Sequence, residues 1–141
     1  MCGIAGISEY RKGNLREIVA AMNDMLHHRG PDDAGLWEAP DRTIALAHRR
    51  LAIIDLSDTG RQPMQYLNGR LTIVFNGEIY NFKELREKLA VAGYPFHTQS
   101  DTEVILAAYL HWGERCVEQL NGMFAFALYD AEKDRLFLAR D

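Results

Sequence analysis

The chain has 141 residues, 48% of them hydrophobic, which is one domain's length with enough apolar content for one core. Its 16 Lys and Arg are dispersed and outnumbered by 20 Asp and Glu, for a net charge of −4. That balance argues against a nucleic-acid groove or an anionic membrane surface and favours small or neutral partners. Cys2 and Cys116 are too few for a disulfide framework and suit a reducing cytosol.

In chain order, "CGIAGIS" reads as a short strand. "NLREIVAAMNDMLHHRG" then places Leu15, Ile18, Val19, Met22, Met25 and Leu26 at helical spacing, with Asn14 as N-cap and Gly30-Pro31 as the stop. "TIALAHRRLAII" predicts a strand running into a bend. "LTIVFNGEIY" predicts another strand that stops at Asn76-Gly77, a pair that by itself signals a hairpin.

Asn81 opens a helix over "FKELREKLAVAG", and Ser100 with Glu103 in capping-box spacing opens another over "SDTEVILAAYLHWG". Cys116 falls in a short helix with Val117 and Leu120, as a small core residue. "MFAFALYD" and "RLFLARD" predict a closing hairpin, and the last strand reaches Asp141 with no cap or polar tail, so the domain is expected to continue beyond it. An unpaired outer edge on that strand predicts self-association, for example as a homodimer. The elements predict an α+β fold with mixed or antiparallel sheets flanked by helices.

Several chemistries have no sequence signal. His27, His28, His48, His97 and His111 show no metal-ligand spacing, and there is neither a Walker loop nor G-x-G-x-x-G. The start has no basic n-region and no sustained apolar stretch, and no later segment is long enough to cross a bilayer, so a cytoplasmic protein is expected.

Cys2 stands out against this background. With Met1 removed, its thiol and a free α-amine share one residue, and an α-amine titrating near ~7.7–8.0 can take the thiol's proton at working pH. A terminal nucleophile with its own amine as base is a workable design for acyl transfer.

The stretches "MCGIAGI", "HRGPDDAG", "HRRLAIIDLSDTGRQPM" and "VFNGEIYNF", followed by "SDTEVIL", "LNGMFAFALYD" and "LARD", resemble the glutaminase domain of the class II glutamine amidotransferases. "RRLAIID" and "NGEIYN" are closest to the glutamine-dependent asparagine synthetases. The resemblance covers residues 1–141 and implies an αββα N-terminal-nucleophile fold.

It also implies site roles. Cys2 attacks the side-chain amide of glutamine. Asn76, by its side-chain amide, and Gly77, by its backbone N–H, form the oxyanion hole. Arg50 binds the α-carboxylate, Glu78 and Asp101 hold the α-ammonium, and the backbones of Ile53 and Ile54 line the pocket. Asp101 equally fits a first-turn acidic residue placed by the helix dipole. "HRGPD" with Arg29 fits either a loop packed near the nucleophile or a plain helix stop.

The implied partners are glutamine and a C-terminal synthetase domain, and no nucleic acid or membrane. No cofactor is implied for the glutaminase domain, with ATP and Mg belonging to the synthetase domain. A catalytically silent regulatory domain and a peptide hydrolase of the same fold are the competing readings. The paired clamp of Arg50 with Glu78 and Asp101 argues against a peptide substrate, which has no free amino-acid head group.

Overall fold

The computed structural model describes residues 2–9, 13–51 and 60–141. Among the described residues, seven strands form two sheets. β1 (Gly3–Ser8), β2 (Asp33–Glu38) and β3 (Ile44–Arg50) build a three-stranded antiparallel sheet in the order β1-β3-β2. β4 (Met64–Tyr66), β5 (Leu71–Ile79), β6 (Gly122–Asp130) and β7 (Arg135–Arg140) follow one another in the second sheet, again antiparallel.

Helix α1 (Leu15–Met25) covers the outer face of the first sheet, with Leu15 and Val19 buried on Ala45 and Ala47. The two sheets meet through Ile44 and Leu46 on one side and Val74, Ala127 and Tyr129 on the other, with the Trp37 and Tyr129 rings 5.4 Å apart. Helices α2 (Phe82–Val91) and α3 (Asp101–Trp112) cover the far face of the second sheet. The layers therefore run helix, sheet, sheet, helix, the expected αββα order.

The largest core lies beneath α3, whose residues Thr102 to Tyr109 are all buried. Each fully buried Leu or Ile in it is worth about 1.5–3 kcal/mol. None of the helices among the described residues is long and apolar enough to cross a membrane.

Several sequence expectations are corrected. β5 does not stop at Asn76-Gly77: its register with β6 runs unbroken from Leu71 opposite Asp130 to Ile79 opposite Gly122. Gly77 accommodates the ladder with φ +154°, and a Cβ on it would come within 2.2 Å of the Met123 carbonyl oxygen, so only glycine fits. β2 and β4 had no sequence signal, since one is an Ala-Gly-containing segment after a Pro turn and the other is three residues long.

On α1, Ile18, Met22 and Met25 are exposed, and Asn23 shares the buried stripe with Leu15 and Val19. Leu15 and Val19 sit on Ala45 and Ala47, with Ala5, Ile7 and Leu36 packed against them. Asn14 makes no side-chain cap bond.

The capping box is half formed. Ser100 Oγ accepts from the Thr102 N–H at 3.1 Å, but Glu103 turns instead to the preceding loop, where it accepts from His97 N (2.8 Å), Thr98 N (2.7 Å) and Thr98 Oγ1 (2.8 Å). Three donors on the loop outcompete the single Ser100 N–H, which goes to Thr98 Oγ1. That loop leads into one wall of the cleft described next.

Candidate active site

A cleft of about 370 Å³ opens where the ends of β1, β3 and β5 meet the start of α3. Cys2, Arg50, Gly77, Glu78 and Asp101 all line it, five of the residues singled out from sequence. The placement follows from strand pairing. β1 and β3 pair with Gly3 opposite Arg49, so Cys2, one step beyond the ladder, emerges beside Arg50. Alternation along β3 turns Ile44, Leu46, His48 and Arg50 toward the second sheet while Ala45 and Ala47 face α1.

The "HRGPD" segment packs beside Gly3, the residue that follows Cys2. Its His27–Arg29 turn brings the β-carbons of Leu26 and Arg29 against Gly3.

Asn76 stands behind Gly77 rather than in the cleft wall. It shares the inter-sheet face of β5 with Val74, and its Oδ1 is buried with no hydrogen-bond partner among the described residues. It is an amide with uncommitted hydrogen-bonding capacity next to the cleft. Ile53, Ile54 and Met1 lie outside the described residues.

The backbone of β5 explains why Gly77 is special. Residues 73, 75, 77 and 79 direct their N–H groups to the β4 side, while Tyr80, of opposite parity, donates to Asn121 O at 2.7 Å on the β6 side. β4 begins at Met64, opposite Ile73, and among the described residues no strand receives the N–H groups beyond that point. Gln62 Oε1 takes the Phe75 N–H at 2.6 Å, and Asp101 Oδ2 takes the Ile79 N–H at 3.0 Å. The Gly77 N–H between them faces the cleft with no strand opposite it among the described residues.

Asp101 is therefore partly committed. Burial pushes its carboxyl above the usual range, against the N–H groups of Ile79, Thr102 and Asp101 itself that favour the charged form, while neighbouring Glu78 adds to the rise. Glu78 is exposed at the cleft mouth. Cys116, far from this site, is fully buried, and burial raises its thiol to about 12.

Gln62 and His48 are among the cleft residues that the sequence did not single out. Gln62 precedes Pro63, and its polarity before a strand-breaking residue was the only available sign. His48 shares the Arg50 face of β3, a fact that alternation along "IALAHRR" encodes.

His48 is 2% exposed, and burial lowers its pKa to about 4, opposed by a backbone bond to Phe75 and by Asp33 and reinforced by Arg50. It is neutral at working pH. Because the unfolded chain takes up this proton near ~6.5 and the folded chain only near 4, stability should fall on acidification through that window, by on the order of 3 kcal/mol in total. Asp101, with its raised carboxyl, titrates with the opposite sign. The wild-type minus His48→Gln difference in denaturation free energy, measured from pH 7 to 4, isolates the histidine. A difference that stays flat would remove the buried neutral His48.

The comparisons with known proteins agree with this geometry. Residues 1–141 match the sequence profile described as "Glutamine amidotransferase domain". "Asparagine synthetase [glutamine-hydrolyzing] 3" of Bacillus subtilis is 43% identical over 145 residues, covering 100% of this chain and 23% of that protein. "Asparagine synthetase B [glutamine-hydrolyzing]" of Escherichia coli is 42% identical over 143 residues, covering 100% of this chain and 25% of that protein.

Among solved structures, a glutamine phosphoribosylpyrophosphate amidotransferase from B. subtilis superimposes with a TM-score of 0.74 at 21% identity, covering 99% of this chain and 36% of that one. A structure described as the allosteric regulatory enzyme of purine biosynthesis gives 0.78 at 19%, covering 100% and 37%. These two show the shared fold. The chain spans about a quarter of the length of the curated relatives just named. A profile matched from the first residue to the last, on a fold whose cleft gathers Cys2, Arg50 and Gly77, places this chain in the glutamine amidotransferase domain family.

Proposed function

We propose that this domain hydrolyses glutamine to glutamate and ammonia, with Cys2 as nucleophile. The α-amine of Cys2, freed by removal of Met1, takes the thiol proton. Sγ attacks the side-chain carbonyl carbon, and the oxyanion so formed is held by the Gly77 N–H and the Asn76 amide. The proton passes to the departing nitrogen and ammonia leaves, giving a thioester. Water activated by the same amine attacks that thioester, releasing glutamate and restoring the thiol.

Arg50 grips the α-carboxylate through two parallel hydrogen bonds, and Glu78 with Asp101 faces the α-ammonium. The backbones of Ile53 and Ile54 complete the pocket. Thiol, amine and amide donors supply each of these steps from the chain itself. ATP and Mg belong, in this reading, to a synthetase domain that uses the ammonia on an acceptor such as aspartate. The setting is the cytoplasm, where a reduced thiol persists.

The observation that supports the reading best is the Gly77 N–H, left facing the cleft that Cys2 and Arg50 also line. Ammonia release from glutamine is the direct test, and the clamp sharpens it. Arg50→Ala should raise KM for glutamine by roughly 10²-fold, and Arg50→Lys should stay impaired because an ammonium cannot reproduce the guanidinium fork. If the wild-type protein hydrolysed glutamine and an analogue without the α-carboxylate equally well, Arg50 would not be the clamp.

A further inference from the structure

We propose that Gln62 is a positioning residue for the oxyanion site, its side chain standing in for the strand that β5 lacks beside the cleft. The inference rests on the glutaminase reading above and adds to it a residue that acts through the backbone of β5.

The register of β4 with β5 shows what is missing. Met64 pairs with Ile73, so a continuing β4 would bring residue 62 opposite Phe75. Pro63 intervenes, with no N–H to give and a ring that breaks the ladder. The Gln62 main chain is drawn away toward β2, where its carbonyl oxygen lies 1.8 Å from where a Cβ on Gly35 would sit. Only glycine at 35 allows that approach.

With its backbone held on the first sheet, Gln62 extends its amide across to the second. Oε1 accepts the Phe75 N–H at 2.6 Å and Nε2 donates to Thr102 Oγ1 at 3.4 Å. Thr102 is buried in the first turn of α3, next to Asp101, whose Oδ2 holds the Ile79 N–H.

The consequence lies two residues further on. Phe75 and Ile79 are pinned from the cleft side by side chains, one on each flank of Gly77. The peptide between Asn76 and Gly77 is thus fixed at both ends while its own N–H has no partner among the described residues. Were Gln62 unable to accept, the Phe75 N–H would lose its partner and the segment carrying both oxyanion donors would be free to twist. Catalysis by aligned donors falls steeply with such misplacement.

The test compares Gln62→Met, near in shape but without an acceptor, with Gln62→Glu, which keeps one. Gln62→Met should lower kcat for glutamine hydrolysis roughly 10- to 100-fold with KM within about threefold. Alkylation of Cys2 by iodoacetamide, a displacement at carbon that builds no oxyanion, should stay within about twofold. Gln62→Glu should recover most of kcat. An unchanged kcat in Gln62→Met, or hydrolysis and alkylation falling together, overturns the proposal.

Amide hydrogen exchange on the wild-type protein gives a check that needs no variant. Phe75 and Ile79 should exchange slowly and Gly77 fast, and a Phe75 as labile as Gly77 would remove the Gln62 bond. A wild-type protein that releases no ammonia defeats the glutaminase reading and the catalytic half of this inference with it, whereas the exchange pattern reports on the Gln62 bond alone.

Discussion

Cys2→Ala should abolish ammonia release from glutamine, a loss of at least about 10⁴-fold, and protein that retains Met1 should be equally silent. The two defects have one physical origin. Cys2 sits at the edge of the cleft, one step beyond the β1–β3 ladder and next to Arg50. There the thiol has Arg50 and the backbone beside it but needs a neutral base, and its own α-amine is the group that geometry guarantees. A residue ahead of Cys2 converts that amine to an amide nitrogen with no basic lone pair and also crowds the cleft. An N-terminal tag that is never cleaved should have the same effect.

Cys116→Ala supplies the control. Its thiol is fully buried and held in the protonated form by burial, with a pKa of about 12, so it should neither be alkylated in the folded protein nor matter for turnover. Intact mass, Cys2 labelling by a glutamine-like electrophile and ammonia release, measured on the same preparation, decide the matter. Full activity in a homogeneous Met1-containing sample would rule out the terminal-nucleophile mechanism.

The parts of the fold with strong periodicity were legible in the sequence. "FKELREKLAV" and "DTEVILAAYLHW" carry helical patterns between Asn81 and Gly93 and after Ser100, and they form α2 and α3. The β6–β7 hairpin appears where "AEKD" separates two apolar runs. Short elements were not legible, because three residues of β4 cannot display a period and their existence depends on β5 being there to pair with.

The strand end expected at Asn76-Gly77 fails for a related reason. The pair favours a turn locally, but nine paired positions along β6 outweigh that preference and carry the strand through. Of the cleft, the residues proposed to meet substrate could be named because their chemistry is specific: a terminal thiol, an arginine, an amide beside a glycine. Those that hold the backbone in place could not. Gln62 reaches the Phe75 N–H through a contact between separate segments, and no local pattern announces it.

Asn76→Ala should lower kcat for glutamine hydrolysis by roughly 10²–10³-fold while leaving KM within a few-fold. Its amide lies on the inter-sheet face of β5, immediately before the residue whose N–H opens on the cleft, and its buried oxygen lacks a partner among the described residues. A side chain whose hydrogen-bonding capacity is not spent on the fold can be removed at small cost to stability, so the loss should appear in catalysis. The distinction between kcat and KM carries the argument. The substrate amide is neutral in the ground state and gains full negative charge on oxygen only as Sγ adds, so a donor aimed at that oxygen acts mainly in the transition state. Arg50, by contrast, meets a carboxylate that is charged throughout, and its loss belongs in KM. Steady-state kinetics of the two variants side by side, with denaturation midpoints to confirm that both remain folded, should therefore give opposite signatures. A purely raised KM in Asn76→Ala would move Asn76 from the oxyanion hole to the binding of the substrate head group.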